Sequence, residues 1–179
     1  MKRRAHLLEE TRRRIVDATV SLHEEVGPAR TTVSAIAERA RVSRPTVYKQ
    51  FPDDLSLFTA CSGRFAEQRP QPELVGVELE HALRNLYRYF SDNEQMIGNV
   101  DRDAGLVPAV AHVWARALDI REHAADDHAE RVAPGRTDVR AVLRLAFTFC
   151  TWQHLTQAGL GVGEAASLMA SLAEAAAAS

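Results

Sequence analysis

The segment from Thr31 to Phe58, TTVSAIAERARVSRPTVYKQFPDDLSLF, constrains the fold more than any other part of the chain. Its apolar residues keep helical spacing over two short stretches separated only by a turn. In the first, Val33–Ala40, the residues Val33, Ile36, Ala37 and Ala40 share one face. Thr32 is placed to cap it, because its hydroxyl can accept from a backbone N–H that has no partner inside the helix. Arg41-Val42 form the turn and Ser43 caps the second stretch, where Pro45 lies in the first turn and its missing N–H costs nothing. Val47 and Phe51 point inward, leaving Arg44, Pro45, Thr46, Tyr48, Lys49 and Gln50 outward. Two helices crossing this closely need a small side chain at the crossing point, and Ala37 supplies it. The pattern is a helix-turn-helix, spanning 32–51, whose second helix offers donors and a cation to a DNA major groove.

Charge agrees with that reading. The 179 residues carry a net charge of −2, but residues 1–50 hold eleven Lys/Arg against six acids, a net of +5, leaving −7 for the remainder. A basic N-terminal module on an acidic body suits a protein that brings one part to a polyanion and keeps the other away. Arg12–Arg14 taken alone fit a solvated helix face equally well; beside the helix-turn-helix they favour DNA. No apolar run of signal-peptide length follows the basic N-terminus, and no stretch approaches the ~20 apolar residues of a membrane span. Cys61 and Cys150 lack metal or redox spacing, as expected of a reduced cytoplasm, and each is expected to be a small core hydrophobe.

From about Arg12 to Phe58, roughly a quarter of the chain, the sequence resembles the TetR family of transcriptional regulators. The resemblance rests on an amphipathic first helix (RRRIVDATVSLHEEVG), then T-T-x-x-x-I-A, then V-S-R-P-T-V-Y-K-Q-F-P, then an acidic cap and Leu-x-x-Phe. The remainder matches in pattern only. Two positions depart from the family: Arg41 stands where the turn usually has glycine, and Asp54 stands where a phosphate-touching lysine is usual. The resemblance implies an all-α chain, with an N-terminal three-helix DNA-binding domain and a C-terminal helical effector-binding and dimerisation domain. It also implies a cytoplasmic homodimer that binds double-stranded DNA at a pseudo-palindromic operator. Thr32, Ser43, Arg44, Pro45, Thr46, Tyr48 and Lys49 are the candidate DNA-binding residues, with Arg44 and Thr46 best placed for base edges.

Periodicity places a first helix at about Leu8–Val26, burying Ile15, Ala18, Thr19, Leu22 and Val26. Asp53 caps a further helix carrying Leu55, Phe58, Cys61 and Phe65, and Arg69-Pro70-Gln71-Pro72 then breaks the chain. The domains are accordingly drawn at 8–68 and 73–179. Beyond the break, helices are expected at about Glu73–Ser91, Asn93–Asp101, from Pro108 to Val132, Thr137–Ala158 and Glu164–Ala178. The Thr137–Ala158 helix has two apolar sides, so one can serve the core and the other a partner subunit. The family dimerises through a four-helix bundle made by the last two helices of each subunit. Leu145, Trp152, Leu155, Leu168, Met169 and Leu172 are the candidate interface residues.

Enzymatic chemistry finds little support, with no Gly-rich phosphate loop and no nucleophile in a recognised setting. The seven histidines lack metal-ligand spacings; the nearest cluster, His123-x-x-Asp126-Asp127-His128, reads as solvated surface. No cofactor and no metal is expected. The resemblance implies a small apolar effector between the body helices, and Leu86, Tyr89, Phe90, Met96, Val110, Trp114, Phe149 and His154 could line its cavity. The expected function is a sequence-specific transcriptional regulator, a repressor released from its operator by that effector. The alternative is a helical interaction protein of the same fold that answers to a protein partner.

Overall fold

The long apolar stripe of the first helix sets the architecture. In the computed structural model, which describes residues 2–179 and side chains from Ala5 onward, α1 runs Lys2–Val26. The side chains of Lys2, Arg3 and Arg4, counted in the N-terminal charge, lie outside the described residues. Ile15, Ala18, Thr19 and Leu22 are buried along α1 as the stripe requires, whereas Val26, expected inside, is exposed at the helix end. A 3-10 turn at Pro28–Arg30 leads into α2 (Val33–Ala40), α3 (Arg44–Gln50) and α4 (Asp54–Gln68). The later helices are α5 (Leu79–Asp92), α6 (Glu94–Ala104), α7 (Pro108–Val132), α8 (Thr137–Ala146), α9 (Phe149–Gln157) and α10 (Val162–Ala178). The fold is all-α, with no strand among the described residues.

The chain divides into two compact units. One contains residues 1–70 together with 95–115; the other contains 71–94 and 116–179. The return of 95–115 to the N-terminal head is absent from the sequence reading, which gave all of 73–179 to one domain. In the first unit, α1, α2, α3 and α4 enclose Ile15, Val16, Ala18, Leu22, Ile36, Ala37, Ala40, Val47, Phe51, Leu57 and Cys61. Burial pushes the Cys61 thiol up to about 12, so it stays protonated and packs as a small hydrophobe. Met96 of α6 joins the same core.

Polar side chains of α6 clasp the C-terminal end of α1. Asn99 Nδ2 donates to the carbonyl of His23 at 3.0 Å, which also accepts from Gly27 N–H, and to that of Glu24 at 2.8 Å at the helix end. The buried Asp103 carboxylate accepts from Ala29 N–H at 2.9 Å and is gripped twice by Arg102. Burial pushes the Asp103 carboxyl up, but the Arg102 and Ala29 hydrogen bonds outweigh it and leave the group below the ordinary carboxylate range. Gly27 has φ +90 in this corner, and a Cβ there would come within 2.2 Å of Arg102 Nη2. Only glycine fits on both counts.

In the second unit, Leu79, Ala82, Leu83, Leu86, Tyr87 and Phe90 of α5 are buried, as are Ala165, Ala166, Met169, Ala170 and Ala173 of α10. Alanines at this density let two helices approach closely. The single helix expected over Thr137–Ala158 is interrupted. α8 ends at Ala146, Thr148 caps α9 by accepting from Thr151 N–H at 3.2 Å, and the Tyr87 hydroxyl donates to the Ala146 carbonyl at 2.8 Å. A cap and an outside donor together satisfy the backbone groups that the break exposes. Three other expectations are corrected. Residues 73–78 are not helical, because Glu78 caps α5 and Gly76 has φ +80. Cys150 is exposed and not a core residue. His128, read as solvated, is 2 % exposed, with its Nε2 2.8 Å from the Leu74 carbonyl.

His23 gives the head an acid sensitivity. It is 4 % exposed, stacks on Phe58 with ring centroids 4.9 Å apart, and its Nε2 has no hydrogen-bond partner. Burial lowers its pKa to about 4, partly opposed by the Asp103 charge. The unfolded chain therefore binds a proton more readily, and stability falls as pH drops from about 6.5 toward about 4. The loss should reach roughly 3 kcal/mol by the linkage of about 1.36 kcal/mol per pKa unit. Thermal melts across that window should show a shallower decline for His23→Leu than for the parent.

Candidate nucleic-acid interface

The turn between α2 and α3 closes in the geometry that a helix-turn-helix needs. Arg41 takes the left-handed conformation, φ 54 and ψ 50. Val42 N–H donates to the Ala37 carbonyl at 2.9 Å and Arg41 N–H to Glu38 at 3.1 Å, the paired bonds of a Schellman end. Arg41 thus performs the backbone task usual for glycine, at some strain. Thr32 Oγ1 accepts from Ala35 N–H at 3.2 Å, and Ser43 Oγ accepts from Thr46 N–H at 3.3 Å, so both expected caps are formed.

The seven-residue α3 divides cleanly into two faces. Val47, 1 % exposed, and the following Phe51, 3 % exposed, anchor it to the core. Arg44, Pro45, Tyr48 and Lys49 are exposed, and Thr46 is half-buried with its hydroxyl 2.8 Å from that of Ser43. Thr32 and Ser43 are exposed at the N-terminal ends of α2 and α3, where backbone N–H groups and the helix dipole favour an anion. All seven residues expected to meet DNA therefore belong to the helix-turn-helix, and Thr46 alone is partly covered. Asp54 is exposed in the first turn of α4, while Asp53 forms the cap, accepting from Ser56 N–H at 2.7 Å.

The head's ion pairs leave its outward cations free. Arg39 is paired with Glu25, Arg64 with Asp17 and Arg69 with Glu24. Among the described residues, Arg13, Arg14, Arg44 and Lys49 make no ion pair.

The expected effector residues scatter. Met96, Val110 and Trp114 belong to the first unit, where Met96 lies in the core and Trp114 Nε1 donates to Asp101 at 3.1 Å. Leu86, Tyr89, Phe90, Phe149 and His154 belong to the second. There Phe90 and Phe149 meet edge to face at 5.4 Å, and His154 is exposed beside Cys150. Two clefts open on the second unit, and none of the eight residues lines either. One, about 290 Å³, is walled by Leu118, Arg121, Leu145, Phe147 and neighbours; the other, about 500 Å³, by Pro72, Leu74, Val75, Ile120 and neighbours. Sequence spacing could not find them, because Leu74 and Val75 lie in an irregular segment. Of the residues expected at a dimer interface, Trp152 and Met169 are buried within a single copy and have little surface to offer. Leu145, Leu168 and Leu172 are exposed, and Leu155 is half-buried. Among the described residues no group of three or more His, Cys, Asp and Glu is disposed to hold a metal, and no helix is long and apolar enough to cross a membrane.

The strain at Arg41 is testable. Arg41→Gly removes a Cβ from a left-handed position and should stabilise the head by about 1 kcal/mol, read from the urea midpoint at unchanged slope. An unchanged midpoint would mean that the turn relaxes around the arginine.

Residues 15–61 match the family model described as bacterial regulatory proteins, tetR family. No curated protein matches the chain. The matched segment covers the second half of α1, both helices of the reading motif and the first half of α4. Members of this family bind operator DNA, dimerise, and are regulators, not enzymes. With the turn closed, the caps formed and the cationic helix face uncovered, residues 15–61 form the DNA-binding helix-turn-helix of a TetR-type transcriptional regulator.

Proposed function

We propose that the chain is a repressor: a cytoplasmic homodimer that holds a pseudo-palindromic operator and leaves it when a small apolar effector occupies the body. The observation carrying this reading is the outward face of α3, where Arg44, Tyr48 and Lys49 stand exposed on a helix fixed from beneath by Val47. Two clefts of the second unit offer such an effector apolar walls, Leu74, Val75 and Ile120 in one and Leu118, Leu145 and Phe147 in the other, each rimmed by ionisable side chains. Release requires the effector to prefer the form with separated heads, and linkage makes the opposition between effector and DNA reciprocal.

Selection of bound DNA from a random pool tests the reading. It should enrich an inverted repeat whose half-sites lie one or more helical turns apart, roughly 34–36 Å per turn. Failure to enrich any sequence would favour the alternative, a helical regulator acting through a protein partner.

Two sets of variants refine it. Arg44→Ala should cost ~1–3 kcal/mol on the selected operator and relax preference at one or two base pairs, as for a residue on a base edge. Lys49→Ala should weaken binding to all sequences alike and reduce the salt slope by about 1, as for a phosphate contact. Leu168→Glu with Leu172→Glu places charges on residues 41 % and 48 % exposed in one copy, so the fold should survive. Light scattering should then find monomers, and binding to the full operator should collapse. A dimeric double variant would move the interface away from α10.

A further inference from the structure

α3 is short, and its far end is held by a residue from outside the helix-turn-helix. Arg12, on α1, sends Nη1 to the Gln50 carbonyl at 2.8 Å across a sequence separation of 38 residues. Its guanidinium carbon lies 4.0 Å from the centre of the Phe51 ring. Gln50 is the last residue of α3, so its carbonyl is one of the acceptors that a helix end leaves without an internal partner. A cation at that end also opposes the partial negative charge of the helix dipole. The next residue, Phe51, leaves the helix with φ −136 and ψ 96, so α3 cannot be extended to protect its own terminus. Residue 12 lies outside the matched segment 15–61, and its neighbours Arg13 and Arg14 are exposed while Arg12 is half-buried.

We infer that Arg12 is a positioning residue for DNA reading, pinning the C-terminal end of α3 so that Tyr48 and Lys49 are presented at a fixed depth and angle. This rests on the proposed DNA-binding function and adds a division of labour within the Arg12–Arg14 run: Arg12 faces protein, whereas Arg13 and Arg14 remain open to phosphates. A guanidinium suits the task because it can donate to a carbonyl while its flat face covers an aromatic ring. Lysine keeps the charge but not the flat face.

The test uses the full-length protein, the operator selected from the random pool, and a random duplex of equal length. Arg12→Ala should lower the operator-to-random affinity ratio by about tenfold. The affinity for random DNA and the slope of affinity against salt should stay those of the parent. Arg13→Ala and Arg14→Ala should do the reverse, lowering both affinities together and the slope by about 1 each. In the free Arg12→Ala protein, amide hydrogen exchange should quicken at residues 48–51 and remain unchanged in α2. A slope reduced by about 1 at an unchanged ratio would overturn the inference, since Arg12 would then be a phosphate contact. An unchanged ratio with unchanged exchange would overturn it as well. If Arg12→Ala does not fold, Arg12→Lys decides: a severalfold loss of ratio at parental slope supports the role, and a parental ratio refutes it. If the parent itself shows no preference for any sequence, the DNA-binding reading fails, and the exchange measurement alone judges whether Arg12 pins α3.

Discussion

The close contact of α2 with α1 and α3 is the constraint on which the DNA-facing surface depends. Ala37 and Ala40 are 4 % and 3 % exposed, and they bring Ile36 and Val47 into the same core as Ile15 of α1. A helix of seven residues has no stability of its own in water, because the cost of its first turn is not recovered over so few hydrogen bonds. α3 therefore exists only because Val47 and Phe51 are packed beneath it, Ser43 caps one end and Arg12 holds the other. A larger residue at 37 would overpack the core that α2 shares with α1 and α3, and α3 would lose the surface it rests on.

The head has a second attachment that reaches it from the far side of the chain. Both α4 and α6 pack against α1, and α6 does so through polar groups aimed at the last turn of α1 and at Ala29. Hydrogen bonds of this kind fix direction more sharply than apolar packing, because they weaken steeply with angle. The Asn99 and Asp103 bonds lie within one compact unit, so a displacement of α6 pulls directly on the end of the helix that carries the core of the head.

What the sequence made legible was local. The Thr32, Ser43 and Asp53 caps, the inward Val47 and Phe51, and the turn at Arg41 all follow from interactions within a few residues, and each is present. The misses have the opposite character. The break after Ala146 depends on Thr148 and on a hydroxyl 59 residues away at Tyr87, while the apolar pattern runs on without interruption. Cys150 and Trp152 sit two residues apart with similar apolar character, yet only Trp152 turns toward Phe90, at 5.9 Å. The clasp of α6 on α1 joins residues more than 70 apart, at the edge of what helical periodicity can report.

Charge in the head is distributed by pairing as much as by composition. A surplus of cations spread evenly would make a weakly positive surface with no preferred side. Instead, Glu24, Glu25 and Asp17 of α1 are taken up by Arg69, Arg39 and Arg64, bases that lie on α2, on α4 and just after α4. These exposed pairs contribute little to stability. Their consequence is electrostatic: they cancel charge along the later turns of α1, while Arg13, Arg14, Arg30, Arg41, Arg44 and Lys49 make no ion pair. Arg13 and Arg14 lie midway along α1 and Arg44 and Lys49 on α3, so unpaired cations stand on the helix that can enter a groove. A polyanion approaching this head is thereby drawn to the surface whose shape can read it.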